Sequence, residues 1–116
     1  MRVERELMRG AGPVAVLQLL DARPMHGYEL AEAVAKSTSG VLEMGQSTLY
    51  PLLYNLEGKG LIRGRWTEAD SGRRRKVYSL TKKGEEHLTK QRAQWRSVVR
   101  AMSALGVLAA EEREPV

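Results

Sequence analysis

At 116 residues and 13.0 kDa the chain has room for one compact unit and an appendage, not for a multidomain enzyme. Apolar residues at 42% and charged ones at 28% exclude wholesale disorder, no apolar run nears the ~18 residues of a spanning helix, and zero cysteines exclude disulfides, thiolate ligands and cysteine nucleophiles. Met1-Arg2-Val3-Glu4-Arg5-Glu6 is not followed by a secretory apolar block, so a soluble, cytoplasmic protein without membrane partners is expected.

The net charge of +5 is concentrated. Arg63 to Gly84 carries eight basic residues against two acidic ones, which leaves eleven against twelve for the rest of the chain. A cationic segment on a near-neutral body is the footprint of a polyanion binder.

In chain order, the first helix is Val14 to Leu20, preceded by Gly10-Ala11-Gly12-Pro13 and closed by Asp21-Ala22-Arg23-Pro24. Pro13 fits best as its first helical residue, although Leu7, Met8 and Ala11 can form an earlier turn kinked at Gly12. A second helix runs from Gly27 to about Ser37, with Tyr28, Leu30, Ala31, Val34 and Ala35 at helical spacing and a stop at Ser37-Thr38-Ser39-Gly40. In the third, Leu49, Leu52, Leu53 and Leu56 form one apolar stripe, while Gln46, Ser47, Tyr50, Tyr54 and Asn55 make a polar face. Pro51 requires this helix to start within Gly45 to Thr48, and Gly60 with Leu61 predicts a Schellman cap reaching back to Leu56.

Leu61 to Thr67 and Arg75 to Leu80 read as two strands joined by the loop Glu68 to Arg74, a hairpin with a basic tip. Ile62, Gly64 and Trp66 alternate with Arg63, Arg65 and Thr67, so one face can pack inward. Thr81 then caps a last helix running to about Ala109, where Leu88, Trp95, Met102 and Ala109 stand seven apart with Gln91, Val98 and Leu105 between them. At ~1.5 Å per residue that helix is about 40 Å long, more than a domain of this size covers alone, so its seam predicts a second copy.

Three helices followed by a basic hairpin give the fold class: mainly α with a small β-hairpin, a winged helix-turn-helix plus a long C-terminal dimerisation helix. The expected organisation is 1–80 for the DNA-binding domain, 81–110 for the dimerisation helix and 111–116 for a flexible tail. Gln46, Ser47 and Thr48 stand where a recognition helix reaches base edges, with Tyr50, Tyr54 and Asn55 beside them. Arg73, Arg74, Arg75 and Lys76 supply phosphate contacts from the wing. Leu88, Gln91, Trp95, Val98, Met102 and Leu105 are the candidate dimerisation residues.

The chain resembles the PadR-type transcriptional regulators, through His26-Gly27-Tyr28-Glu29-Leu30, then Thr48-Leu49-Tyr50-Pro51-Leu52-Leu53 with Leu56-Glu57 and Gly60-Leu61-Ile62. Gly72-Arg73-Arg74-Arg75-Lys76-Val77-Tyr78 and Leu80-Thr81-Lys82-Lys83-Gly84 complete the series, and the single C-terminal helix resembles the shorter of the family's two size classes. The resemblance implies a homodimeric repressor on a palindromic double-stranded operator, often of transporter or detoxification genes, dimerised by the last helix with help from the first. It also implies a small planar hydrophobic or phenolic effector stacking on Trp95, the position matching a pore-side Trp of multidrug-sensing relatives. Two departures stand out: Gly45 where members often carry a Ser cap, and Pro13 within a first helix that is usually continuous.

Plainer roles compete with these. Tyr28 and Tyr78 are expected in the core, Trp95 is first of all dimer packing, and His26 caps or orients the second helix. His26 and His87 lack a carboxylate cluster at ligand spacing, and neither a nucleophile-base-acid set nor a phosphate loop can be assembled, so no metal, cofactor or enzyme activity is expected. Zero Phe and the lack of an aromatic-rich strand pair argue against an RNA or single-strand platform. The competing function is a winged-helix protein-protein interaction module without direct DNA binding, its wing engaging acidic surfaces.

Overall fold

The computed structural model describes residues 1–108. In chain order it forms α1 (Arg5–Ala22), β1 (Met25–His26), α2 (Gly27–Ser37), α3 (Gln46–Gly58), β2 (Ile62–Glu68), β3 (Arg74–Leu80) and α4 (Lys82–Leu105). This is the winged helix-turn-helix order with one long terminal helix. That helix ends at Leu105, four residues before the expected Ala109, because Gly106 caps it in the left-handed conformation; Ala109 and the tail over 111–116 lie outside the described residues.

α1 begins eight residues before Pro13 and runs through it, so Pro13 is interior and not the first helical residue. Tertiary burial explains the difference. Met8, Gly12, Val16 and Leu20 recur every fourth residue as a stripe that crosses the proline, and all four are buried. Such packing offsets an interior proline's penalty of about 3 kcal/mol. At Gly12 the backbone comes close to α3: a Cβ there would lie 3.0 Å from Cδ1 of Leu52. Leu52 is half-buried, while Leu49, Leu53 and Leu56 sink fully into the core.

α2 has the predicted bounds, and α3 ends as predicted. Gly60 takes φ +75°, Leu61 N–H donates to the Leu56 carbonyl at 3.0 Å and Gly60 N–H to the Glu57 carbonyl at 2.9 Å, the two bonds of a Schellman motif. Immediately after this cap the chain enters β2.

The hairpin is part of a three-stranded antiparallel sheet, not a sheet of two. Its order is β1-β3-β2, with Met25 opposite Tyr78 and His26 opposite Val77. β1 has two residues, too few for a period-2 signal, and depends on its partner. β2 and β3 pair from Ile62↔Leu80 to Glu68↔Arg74, so β3 starts one residue earlier than predicted and the loop shrinks to Ala69–Arg73. Ile62, Tyr78 and Met25 bury the sheet's inner face at its base, whereas Trp66, further out on the same face, is 56% exposed.

Thr81 caps α4, its Oγ1 accepting the Gly84 N–H at 3.0 Å. Gly106, at φ +90°, ends the helix: Val107 N–H bonds back to the Met102 carbonyl at 2.9 Å, which closes α4 at Leu105. Arg92 ties α4 to α1 through Gln18 at 2.9 Å and Asp21 at 3.1 Å. Beyond Arg92 every described residue of α4 is exposed, and the molecule extends over 53 Å.

Candidate nucleic-acid interface

With its leucines inward, α3 turns Gln46, Ser47, Thr48, Tyr50, Tyr54 and Asn55 to solvent, Tyr54 at 81% exposure. Gly45 provides no side-chain cap, so the N–H groups of Gln46 and Ser47 stay available to an acceptor, while Thr48 N–H already donates to the Gly45 carbonyl at 3.1 Å. The six residues split around the helix. Tyr50 packs against Gly27 at the start of α2, whereas Ser47, Thr48 and Asn55 border a cleft of about 830 Å³ whose other side carries Arg2, Arg5 and Arg9. Those arginines were not singled out from the sequence, because only the fold brings the start of the chain beside α3.

The wing's tip is a tight loop, closed by Ala69 N–H to the Arg73 carbonyl and Gly72 N–H to the Ala69 carbonyl, each at 2.8 Å. Arg73 sits on it. Arg74, Arg75 and Lys76 belong to β3, where alternation separates them. Arg74 and Lys76 share a face with Trp66 and Glu68, while Arg75 shares the other with Thr67 and approaches Nε2 of His26 at 3.4 Å. The guanidinium of Arg74 lies 5.1 Å from the Trp66 ring centre.

Lys76, expected as a phosphate contact, is the one of the four wing cations with an acidic partner among the described residues. Its Nζ pairs with Oε1 of Glu57 at 3.0 Å, and the other carboxylate oxygen accepts the Gly64 N–H at 3.2 Å. The hydrogen bond to Glu57 raises the Lys76 pKa and keeps it charged, but that charge is already neutralised. Arg73, Arg74 and Arg75 have no carboxylate within 4.0 Å among the described residues.

Between the wing and the start of α2 lies a slot of about 650 Å³. Gly27, Tyr28 and Tyr50 form one wall; Trp66, Arg73, Arg74 and Lys76 form the other. Tyr28 is 65% exposed, contrary to the expected core position, because it stands at the first turn of α2 on the side away from Leu30 and Val34. Tyr78 is buried as expected, and burial raises its phenol pKa against the opposing effect of Lys76.

His26 caps α2 as expected. Its Nδ1 accepts the Glu29 N–H at 3.3 Å and its own N–H donates to Glu29 Oε1 at 3.1 Å, a reciprocal capping box. That backbone bond, with help from Arg23 at 3.2 Å, holds the Glu29 carboxyl below the usual range.

On α4 the predicted seam divides. Leu88 is 1% exposed and lies in the chain's own core, so it has no surface left for a second copy; a heptad pattern cannot tell the two kinds of burial apart. Gln91 is half-buried and donates to Gln94 at 3.3 Å. Trp95, Val98, Met102 and Leu105 form an exposed apolar stripe, joined by Val99 at 50% exposure. No helix among the described residues is long and apolar enough to cross a membrane.

Comparison with known proteins agrees with this architecture. The model of the Transcriptional regulator PadR-like family matches residues 16–90. Transcriptional regulator YqjI of Escherichia coli (strain K12) is 30% identical over 114 residues, 98% of this chain and 53% of that protein, so the chain spans about half of this relative's length. A PadR family regulator from Eggerthella lenta DSM 2243 superposes with a TM-score of 0.77 at 33% identity, covering 86% of this chain and 85% of that one. The Bacillus subtilis PadR structure, solved in complex with operator DNA, aligns with a TM-score of 0.65 at 26% identity, over 70% of this chain and 46% of that one.

Proposed function

The chain belongs to the PadR-like family of transcriptional regulators, and on that premise we propose that it is a homodimeric, ligand-responsive repressor that binds a palindromic double-stranded operator in the cytoplasm. The observation that carries the reading is the exposed polar start of α3 beside a wing whose three arginines lack acidic partners among the described residues. Gln46, Ser47 and Thr48 read base edges, Tyr50, Tyr54 and Asn55 contact the groove walls, and Arg73, Arg74 and Arg75 bind phosphates. The operator-bound relative supports the same use of the fold.

Residues 1–80 form the DNA-binding unit, and α4 within 81–110 pairs with its copy through Trp95, Val98, Met102 and Leu105. Pairing sets two α3 helices about one duplex turn, ~34 Å, apart. A planar hydrophobic or phenolic compound stacked on Trp95 favours one mutual orientation of the wings and so shifts the dimer away from, or toward, operator-competent spacing. Transporter or detoxification genes are the fitting targets for such a response.

The test is binding to a fragment carrying an inverted repeat from upstream of the protein's own gene, across a salt series. A steep fall of affinity with log salt, and relaxed sequence preference in Gln46→Ala, are expected. Salt-insensitive or absent binding would leave only an interaction module.

A further inference from the structure

We infer that the slot between α2 and the wing seats one sugar-phosphate strand of a DNA duplex, with Tyr28 touching a phosphate directly and Trp66 serving as the platform that orders Arg74 above it. The inference rests on the DNA-binding reading above and adds two residues to it.

A duplex whose major groove receives α3 must pass the strand bordering that groove between α3 and the wing, which grips the next stretch of backbone. The slot lies at that place, with Tyr50 of α3 in one wall and Arg73 and Arg74 in the other. Its charge is one-sided. Glu57 neutralises Lys76, and Arg73, Arg74 and Arg75 have no acidic partner within 4.0 Å among the described residues. Clustered unpaired guanidiniums repel one another until an anion sits among them.

The aromatic residues distinguish a phosphate strand from stacked bases. Trp66 already holds Arg74 at 5.1 Å and Lys76 at 6.0 Å from its ring centre. A ring with cations held over it orders them for an anion, which favours a phosphate over a stacked base as its partner. An arginine ordered before binding loses less side-chain freedom when a phosphate arrives. Tyr28 stands across the slot, exposed, with no hydrogen-bonding partner for its hydroxyl among the described residues, and 6.5 Å from the His26 ring. Its phenol offers a neutral donor of the kind that positions a backbone without reading sequence.

Titrating the full chain against a fluorescein-labelled random-sequence duplex by anisotropy, over a salt series, tests each part. Tyr28→Phe is expected to weaken binding roughly three- to tenfold with the salt slope unchanged, as for one neutral hydrogen bond. Trp66→Leu and Arg74→Ala are each expected to flatten the slope by about one, and the double variant to bind no more weakly than Arg74→Ala alone. Trp66→Phe should recover part of the loss by restoring an aromatic face. Additive losses in the double variant, a Tyr28→Phe protein indistinguishable from wild type, or tighter binding to the single strand of the same length would overturn the assignment while leaving duplex binding intact. Displacement of the duplex by inorganic phosphate at matched ionic strength would give the slot to a small phosphate ligand and equally overturn it. A wild-type chain that ignores the duplex altogether would sink the DNA-binding reading itself.

Discussion

Glu57 on α3 and Lys76 on β3 meet with Oε1 and Nζ 3.0 Å apart, and the same carboxylate takes the N–H of Gly64 from the free edge of β2 at 3.2 Å. One side chain thus joins the helix proposed to read bases to both strands of the wing. A cation already paired brings little net charge to DNA, so Lys76→Met is expected to leave the slope of log affinity against log salt unchanged, whereas Arg73→Ala should flatten it by about one. Equal slopes for the two variants would mean that Lys76 leaves Glu57 for phosphate. Glu57→Ala strips the half-buried Gly64 N–H of its acceptor, and a loss of about 1–3 kcal/mol in urea unfolding is expected.

The capping box at the start of α2 makes part of the stability pH-dependent. Glu29 has a depressed pKa, first through the His26 backbone N–H and then through Arg23. A carboxylate whose folded pKa lies below its unfolded value, about 4.3, contributes its full stabilisation above that value and loses it as pH falls through the folded one. Wild type should therefore lose melting temperature between pH 5 and 3 more steeply than Glu29→Gln, with Glu29→Gln the less stable protein at pH 7. Parallel melting curves across that range would show that the box adds nothing to folding.

The sequence made local features legible and left non-local ones hidden. The Gly60 cap, the Thr81 cap, the bounds of α2 and the leucine stripe of α3 are decided within a few residues of chain, and each stands where periodicity and capping chemistry predict. The first half of α1 depends on Met8 reaching a core built from later elements. β1 exists only because Tyr78 and Val77 come alongside Met25 and His26. The pairing of Lys76 with Glu57 spans nineteen residues, so no local pattern predicts it. Leu88 obeys the same seven-residue rhythm as Trp95 and Met102, but the core claims it first.

Two helical glycines should respond to alanine in opposite directions. Gly84 in α4 stands against the link between α3 and β2: a Cβ there would collide with the backbone carbonyl oxygen of Leu61, which also accepts the Thr81 N–H at 3.1 Å. Because neither backbone can give way without losing the Thr81 bond, Gly84→Ala is expected to destabilise by more than about 2 kcal/mol. Gly10 in α1 has open space around it, and Gly10→Ala should add about 0.5–1 kcal/mol through helix propensity alone. Chemical denaturation of both variants checks the pair; a neutral Gly84→Ala would show that α4 does not approach the Leu61 backbone this closely.

Leu88 and Leu105 separate folding from assembly. Leu88→Ala opens a cavity in a fully packed site and is expected to lower stability by about 2–5 kcal/mol, while the surviving folded chain keeps its association state. Leu105 is 76% exposed, so Leu105→Glu should leave the single chain's fold unharmed and, under the proposed α4 pairing, shift the dimer toward monomer in sedimentation at micromolar concentration. A wild-type chain that sediments as a monomer, or a Leu105→Glu dimer as tight as wild type, would remove α4 from the interface.

Trp95 carries the effector half of the proposal, and it is one of two tryptophans, with Trp66 on the wing as a built-in control. At 38% exposure its ring has a free face within the apolar stripe of α4, the kind of surface on which a planar compound stacks. Adding planar aromatics should quench emission in wild type and in Trp66→Phe but not in Trp95→Ala. A compound that stacks there must also alter duplex affinity, because binding that does not discriminate between two dimer orientations shifts neither. Quenching that persists unchanged in Trp95→Ala would move the ligand elsewhere. Quenching through Trp95 with no change in operator affinity would instead make the stripe a dimer seam that binds small molecules without transmitting their presence to the wings.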